Sequence, residues 1–253
     1  MEELITEDKF MLEQIYHAHI LSSHDSPVLV MGESGTGKET IAQILHGDRQ
    51  AASNAKIQNN FVPVNVTTLQ EDLFESLLYG HLKGSFTGAT RDTTGFVQRA
   101  HKGTLFLDEI GELPLHLQPK LLRFIQHKKY SRIGEAEEHN ATCRFVFSTN
   151  KDLRKEVEAG NFRLDLYHRI STFIIKTSPL RDRTDDITLY LKKQEVEDPE
   201  GLMLQILDQT KLTGNYRELQ SILARYKTLG KLDRKSTRLN FQSPCNLVCR
   251  LLL

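Results

Sequence analysis

The sequence is short of cysteine. Its three, Cys143, Cys245 and Cys249, are too few and too badly spaced for a disulfide scaffold or a metal knuckle, so a reducing cytoplasm is the expected setting. Net charge is missing as well: Lys+Arg and Asp+Glu both number 33, which removes the signature of a chain that binds nucleic acid over its whole surface. Any contact with DNA has to be local. No apolar run approaches the roughly 20 residues of a membrane span, and the acidic, polar start "MEELITEDKF" has no character of a signal peptide, so no membrane is expected. Internal repeats and low-complexity tracts are absent too. The ten histidines, His17, His19, His81, His101 and His168 among them, show no ligand spacing. What remains is a chain of 253 residues, enough for one large core or a core with a small satellite.

Hydrophobic spacing predicts an alternation of helices and strands. "FMLEQIYHAHIL" reads as helix, "SPVLVMG" as a short buried strand running into a glycine loop, and "KETIAQILH" as the next helix. A polar insertion, "DRQAASNAKIQNN", separates these from the strand "FVPVN" and a helix around "LQEDLFESLLYG". Then come the strand "GTLFLD", the helix "LHLQPKLLRFIQH", the strand "CRFVFSTN" and a helical stretch from Lys151. Such alternation predicts an α/β fold, a parallel sheet covered on both faces. From Pro179 the β signal disappears. "DDITLYLKKQ", "PEGLMLQILDQT" and "NYRELQSILARYKTL" read as helices of a small second unit.

Two stretches carry chemistry. "GESGTGKE", Gly32 to Glu39, matches the phosphate-binding pattern GxxxxGK, with an apolar strand directly before it and a helix directly after. Successive backbone N–H groups of such a loop point at phosphate oxygens, the helix presents its positive end, and Lys38 reaches the β and γ phosphates. Gly32, Glu33, Ser34, Gly35, Thr36, Gly37, Lys38, Glu39 and Thr40 are therefore candidate nucleotide contacts. The residue after the lysine, usually Ser or Thr, is Glu39. In "GTLFLDEIGE" an apolar strand ends in two carboxylates: Asp108 is placed to hold Mg2+, and Glu109 to polarise the water that attacks the γ phosphate of ATP. Two further strands end in Asn65 and in Thr149 and Asn150, candidates for sensing the γ phosphate and for restraining Glu109.

"GESGTGKE", "GHLKGSFTGA", "GTLFLDEIGELPLHLQPKLLR", "FRLDLYHRI", "PLRDRTDDI" and "GNYREL" follow one another as in the central AAA+ domain of bacterial enhancer-binding proteins, and over residues 5 to 230 the chain resembles these NtrC-like activators of sigma-54 RNA polymerase. The resemblance implies an AAA+ P-loop ATPase core at 1–178, a helical lid at 179–233 and assembly into a ring, a hexamer in the family. It implies that Gly84, Ser85, Phe86, Thr87, Gly88 and Ala89 form the loop that hydrolysis drives against sigma-54. By the same resemblance Arg163 and Arg169 reach toward a neighbouring subunit's γ phosphate, Arg217 points back from the lid at nucleotide, and Asn65 restrains the catalytic glutamate.

The chain also departs from that pattern. Leu212-Thr213 stands for the family's Trp-Pro before the lid glycine, Val97-Gln98 for its Phe-Glu, Ser85 for an alanine, and the lid looks a helix short. No receiver domain or helix-turn-helix is expected within this chain, and the tail 234–253 breaks composition abruptly enough to be left out of the fold. Two other readings stay open: a nucleotide-binding switch with impaired hydrolysis, and a different AAA+ machine acting on nucleic acid. The Asp108-Glu109 pair favours the ATPase over the first, and the zero net charge and the Phe86-Thr87 loop tip weigh against the second, since a DNA channel would want basic loops.

Overall fold

The computed structural model describes residues 5–52, 60–69 and 71–229; the tail 234–253 lies outside them. Helix α1 (Lys9–Ser22) leads into β1 (Val28–Met31) and α2 (Lys38–Ala52). After β2 (Phe61–Asn65) come α3 (Phe74–Tyr79), a small antiparallel pair of β3 (Gly80–His81) and β4 (Thr93–Thr94), α4 (Phe96–Arg99), β5 (Thr104–Asp108) and α5 (Gln118–His127). A second pair, β6 (Lys129–Tyr130) with β7 (His139–Asn140), precedes β8 (Arg144–Thr149), α6 (Leu153–Glu158), α7 (Leu164–Ile170) and β9 (Phe173–Lys176). The last helices are α8 (Thr184–Lys193), α9 (Pro199–Gln209) and α10 (Asn215–Leu229).

Five strands form one parallel sheet in the order β2-β5-β8-β1-β9. Its middle strands are buried on both faces, which is why "LFL", "FVF" and "VLV" are continuous apolar runs. Side chains still alternate between the faces. Leu29, Leu105, Leu107, Phe145 and Phe147 join one core with Leu121, Phe124 and Ile125 of α5. Val28, Val30, Phe106 and Val146 face the other, with Ala18 of α1 and Ile41, Ala42 and Leu45 of α2. At the base of the sheet, buried Arg144 donates to the carbonyls of Leu21, Ser22 and Leu45, so it satisfies the open end of α1 while pinning α2 beside it.

The edge strand β9 has no counterpart in the sequence expectation. Phe173 and Ile174 are half-buried, Ile175 is buried and Lys176 exposed, with no clean alternation, so the strand exists through pairing with β1 rather than through its own pattern. The C-terminal helices close a separate core around Leu180, Ile187, Leu191, Leu202, Ile206 and Leu219. Among the described residues no helix is long and apolar enough to cross a membrane.

Candidate nucleotide site and loop

The phosphate loop leaves the C-terminal end of β1, where a parallel sheet gathers its ligand groups. Gly32 donates to the carbonyl of Thr149, 3.1 Å away. A side chain at Gly32 would meet the Thr177 hydroxyl at 1.9 Å, so this approach is open to glycine alone. Gly35 turns with φ +76° directly under the carbonyl of Gly214. Thr36 is wholly buried, its hydroxyl 2.6 Å from that of Thr177 and 2.8 Å from the Glu33 carbonyl.

Lys38 opens α2, so its ammonium lies beside the positive end of a helix. Its Nζ donates to the carbonyls of Gly32 (2.9 Å) and Glu33 (3.2 Å) and lies 3.6 Å from a carboxylate oxygen of Glu109. The loop thus folds its cation back on its own carbonyls and on the acid at the end of β5. Glu109 has left-handed backbone angles, φ 55° and ψ 46°. That conformation costs a non-glycine residue about 1–3 kcal/mol and is found where the surroundings over-determine it, often at functional sites. Next to it, Asp108 accepts a hydrogen bond from Ser148.

The polar strand ends all have hydrogen-bond partners. Asn65 pairs in register with Asp108, but its side-chain oxygen accepts from the N–H (2.9 Å) and hydroxyl (2.7 Å) of Thr67, capping the turn that follows β2. The group that holds Glu109 is the backbone N–H of Asn150, 3.2 Å from its Oε2. Thr149 is fully buried and its hydroxyl accepts from the N–H of Lys151, so it braces the loop after β8. A short side-chain cap outcompetes a longer reach because its donor is two residues away.

From the other side the C-terminal helices close over the loop. Arg217 donates to the Ser34 hydroxyl at 2.8 Å. Arg181 grips Glu33 through two hydrogen bonds, 2.6 and 2.8 Å, and Asn215 donates to the Ser34 carbonyl and to Glu33. Its hydrogen bonds to Arg181 hold the Glu33 carboxyl below its ordinary value. Arg181 and Asn215 stand inside quoted sequence motifs, yet nothing in the chain pattern assigns them this role. Between sheet and helices lies a cavity of about 330 Å³, lined by Ser34, Gly35, Gly37, Lys38, Glu39 and Thr40 from the loop and α2. Asp108, Glu109, Tyr190, Tyr216 and Arg217 are among the residues of its other walls.

Arg163 and Arg169 do not line that cavity. They lie at the two ends of α7, both exposed. Arg163 is engaged by Asp165 through two hydrogen bonds, 2.7 and 3.0 Å, while the Arg169 side chain has no partner among the described residues.

The Gly84–Ala89 segment lies in the connection from β3 to β4, against the turn between β6 and β7. Gly84 donates to the Ala89 carbonyl and Ala89 to the Phe86 carbonyl, which closes a tight loop with Thr87 and Gly88 exposed at its tip. The Phe86 ring stands edge-on to His81 at 5.0 Å and remains 36% exposed. His81 shares a 2.7 Å hydrogen bond with Ser76 of α3. Ser85 leans on Gly134 in the turn between β6 and β7, too closely for a side chain there, and Leu82 donates to the Ile133 carbonyl. The loop is therefore tied at its base and open at its tip.

Comparison with known proteins agrees with this geometry. A family model described as the sigma-54 interaction domain matches residues 4–176. The chain is 40% identical over 240 residues to the Nif-specific regulatory protein of Rhizobium leguminosarum bv. trifolii, covering 91% of this chain and 67% of that protein. It is 39% identical over 241 residues to the anaerobic nitric oxide reductase transcription regulator NorR of Aliivibrio fischeri, covering 90% of this chain and 46% of the relative. NtrX of Brucella abortus, solved in complex with ATP, matches with a TM-score of 0.75 at 26% identity, over 92% of this chain and 54% of that one. The chain thus spans about half the length of NorR and NtrX. Its fold is that of the AAA+ P-loop ATPases.

Proposed function

The chain belongs to the sigma-54 interaction domain family, and on that premise we propose that it hydrolyses ATP and uses the energy to press the Gly84–Ala89 loop against sigma-54 RNA polymerase. The observation that carries this reading is the convergence of Glu109, from the end of β5, and Arg217, from α10, on the phosphate loop that holds Lys38. Phosphate oxygens would take Lys38 from the carbonyls it now contacts. Glu109, steadied by the Asn150 N–H, would then act as the base for the attacking water.

Asp108 suits a magnesium ion: one oxygen takes the Ser148 hydroxyl, and the other accepts from no group among the described residues. A hard cation held there by Asp108 would supply positive charge to offset that of the phosphates. A relative that is a transcription regulator, and an ATP complex of NtrX, support the setting and the nucleotide.

Lys38→Ala lowers ATP affinity by about 10- to 100-fold, the loss of charge-assisted hydrogen bonds to phosphate. Equilibrium titration with labelled ATP measures it; an unchanged affinity would remove the phosphate-loop reading. Arg163 and Arg169, exposed and away from their own cavity, serve a neighbour's site in a ring, where a guanidinium offsets charge developing on the transferred phosphoryl group. Arg169→Ala subunits and Lys38→Ala subunits, each inactive alone, therefore regain hydrolysis when mixed. Mixed assemblies that form and stay inactive at every ratio would rule out a shared site.

A further inference from the structure

Ahead of α1, residues 5–7 run against the C-terminal helices and are held by a carboxylate with no exposed surface. Asp186 Oδ2 accepts from the Thr6 hydroxyl at 2.6 Å, and Oδ1 accepts from the Glu7 N–H at 2.9 Å. Arg183, also buried, donates to the same carboxylate at 3.1 Å. Its other terminal nitrogen donates to the carbonyl of Thr36, inside the phosphate loop, also at 3.1 Å. Tyr216 makes a parallel link: its hydroxyl donates to the Ile5 carbonyl (3.2 Å), its N–H to the Gly35 carbonyl (3.1 Å), and the Arg183 guanidinium sits over its ring. Burial pushes the Tyr216 phenol up to about 12, so it remains a neutral donor.

A fully buried ion pair contributes little net stability when compared with well-packed apolar residues, because both charges must be desolvated. The Arg183 Nε, moreover, has no partner among the described residues. What this pair does accomplish is geometric: it joins three segments far apart in sequence at one point. We propose that Asp186 is a positioning residue for the phosphate loop, coupling residues 6 and 7 through Arg183 to the Thr36 carbonyl. A pull on the chain ahead of α1 then alters how the loop presents its N–H groups. The consequence for nucleotide rests on the ATP reading above; the coupling itself does not.

The test uses Thr6→Val, Thr6→Ser and Asp186→Asn in the whole 253-residue chain. Amide hydrogen exchange of residues 34–38 is followed without nucleotide, alongside ATP titration and thermal unfolding. Thr6→Val removes the hydrogen bond to the Asp186 carboxylate together with the one that Thr6 accepts from the Asp8 N–H, so exchange in the loop speeds up and ATP affinity falls, each by roughly tenfold at most. Thr6→Ser, which keeps the hydroxyl, restores both to near the wild-type values. Faster loop exchange in a protein that never binds ATP would uphold the coupling and count against the ATP reading alone. Unchanged exchange at 34–38 in folded Thr6→Val overturns the proposal, whatever the melting temperature does, since a merely structural contact would move only the latter.

Discussion

Replacing Glu109 with glutamine leaves ATP bound and lowers its turnover by roughly 10²- to 10⁴-fold, the usual cost of losing a general base. The amide keeps the shape of the side chain and an oxygen to accept the Asn150 N–H, so the strained backbone at Glu109 retains its support. Only the basic carboxylate, 3.6 Å from Lys38, is lost. Labelled ATP titration and steady-state phosphate release separate the two effects. Release near the wild-type rate from the variant would make Glu109 a strand-end residue without a chemical role. Release already negligible in the wild type, with ATP bound, would favour the nucleotide-binding switch.

Phe86→Ala abolishes capture of sigma-54 while ATP turnover stays within a few-fold of wild type. The ring belongs to a loop whose described contacts are with His81, Leu82 and the neighbouring turn, not with the phosphate loop, so its removal leaves the nucleotide cavity intact. Burying an aromatic ring at an interface contributes on the order of 2 kcal/mol, and a central aromatic anchor can dominate a small contact. Against that gain, leaving His81 forfeits one edge-on contact of the order of 1 kcal/mol. The difference favours a partner that encloses the ring. Purified sigma-54 is incubated with wild type and variant in the presence of ADP and aluminium fluoride, and complex formation is compared with ATP turnover. Equal capture by both proteins, or none by the wild type, would mean that Phe86 faces something else.

Much of the nucleotide site was legible because its chemistry is contiguous. "GESGTGKE" holds glycines, lysine and helix start within eight residues, and an apolar strand must precede it for the loop to emerge from the sheet. The acidic pair was equally plain, since "TLFLDE" joins a fully buried strand to its polar end. The strand β9 was not, because its four residues, two half-buried, one buried and one exposed, carry no periodicity of their own. The two-residue strands beside the Gly84–Ala89 loop were hidden for the same reason. The restraint on Glu109 was legible only as to kind. A polar group at a neighbouring strand end was expected, but whether Asn65 or Asn150 supplies it depends on whether a nearer donor competes, and Thr67 does.

By itself the amino-acid sequence determined the alternation of strands and helices, the phosphate loop, and the carboxylates that stand at the end of β5, because each depends on residues within a turn or a strand of one another. Only the tertiary structure decided which side chains close that loop. Glu33 and Arg181 are 148 positions apart, Ser34 and Arg217 are 183, and Thr6 and Asp186 are 180. No local preference encodes such pairings: an arginine on a helix near solvent looks the same whether it ends in water or on a carbonyl. At Arg183 and Asp186 burial makes the distinction, since a charge taken out of water must find its partner wherever the packed chain brings one.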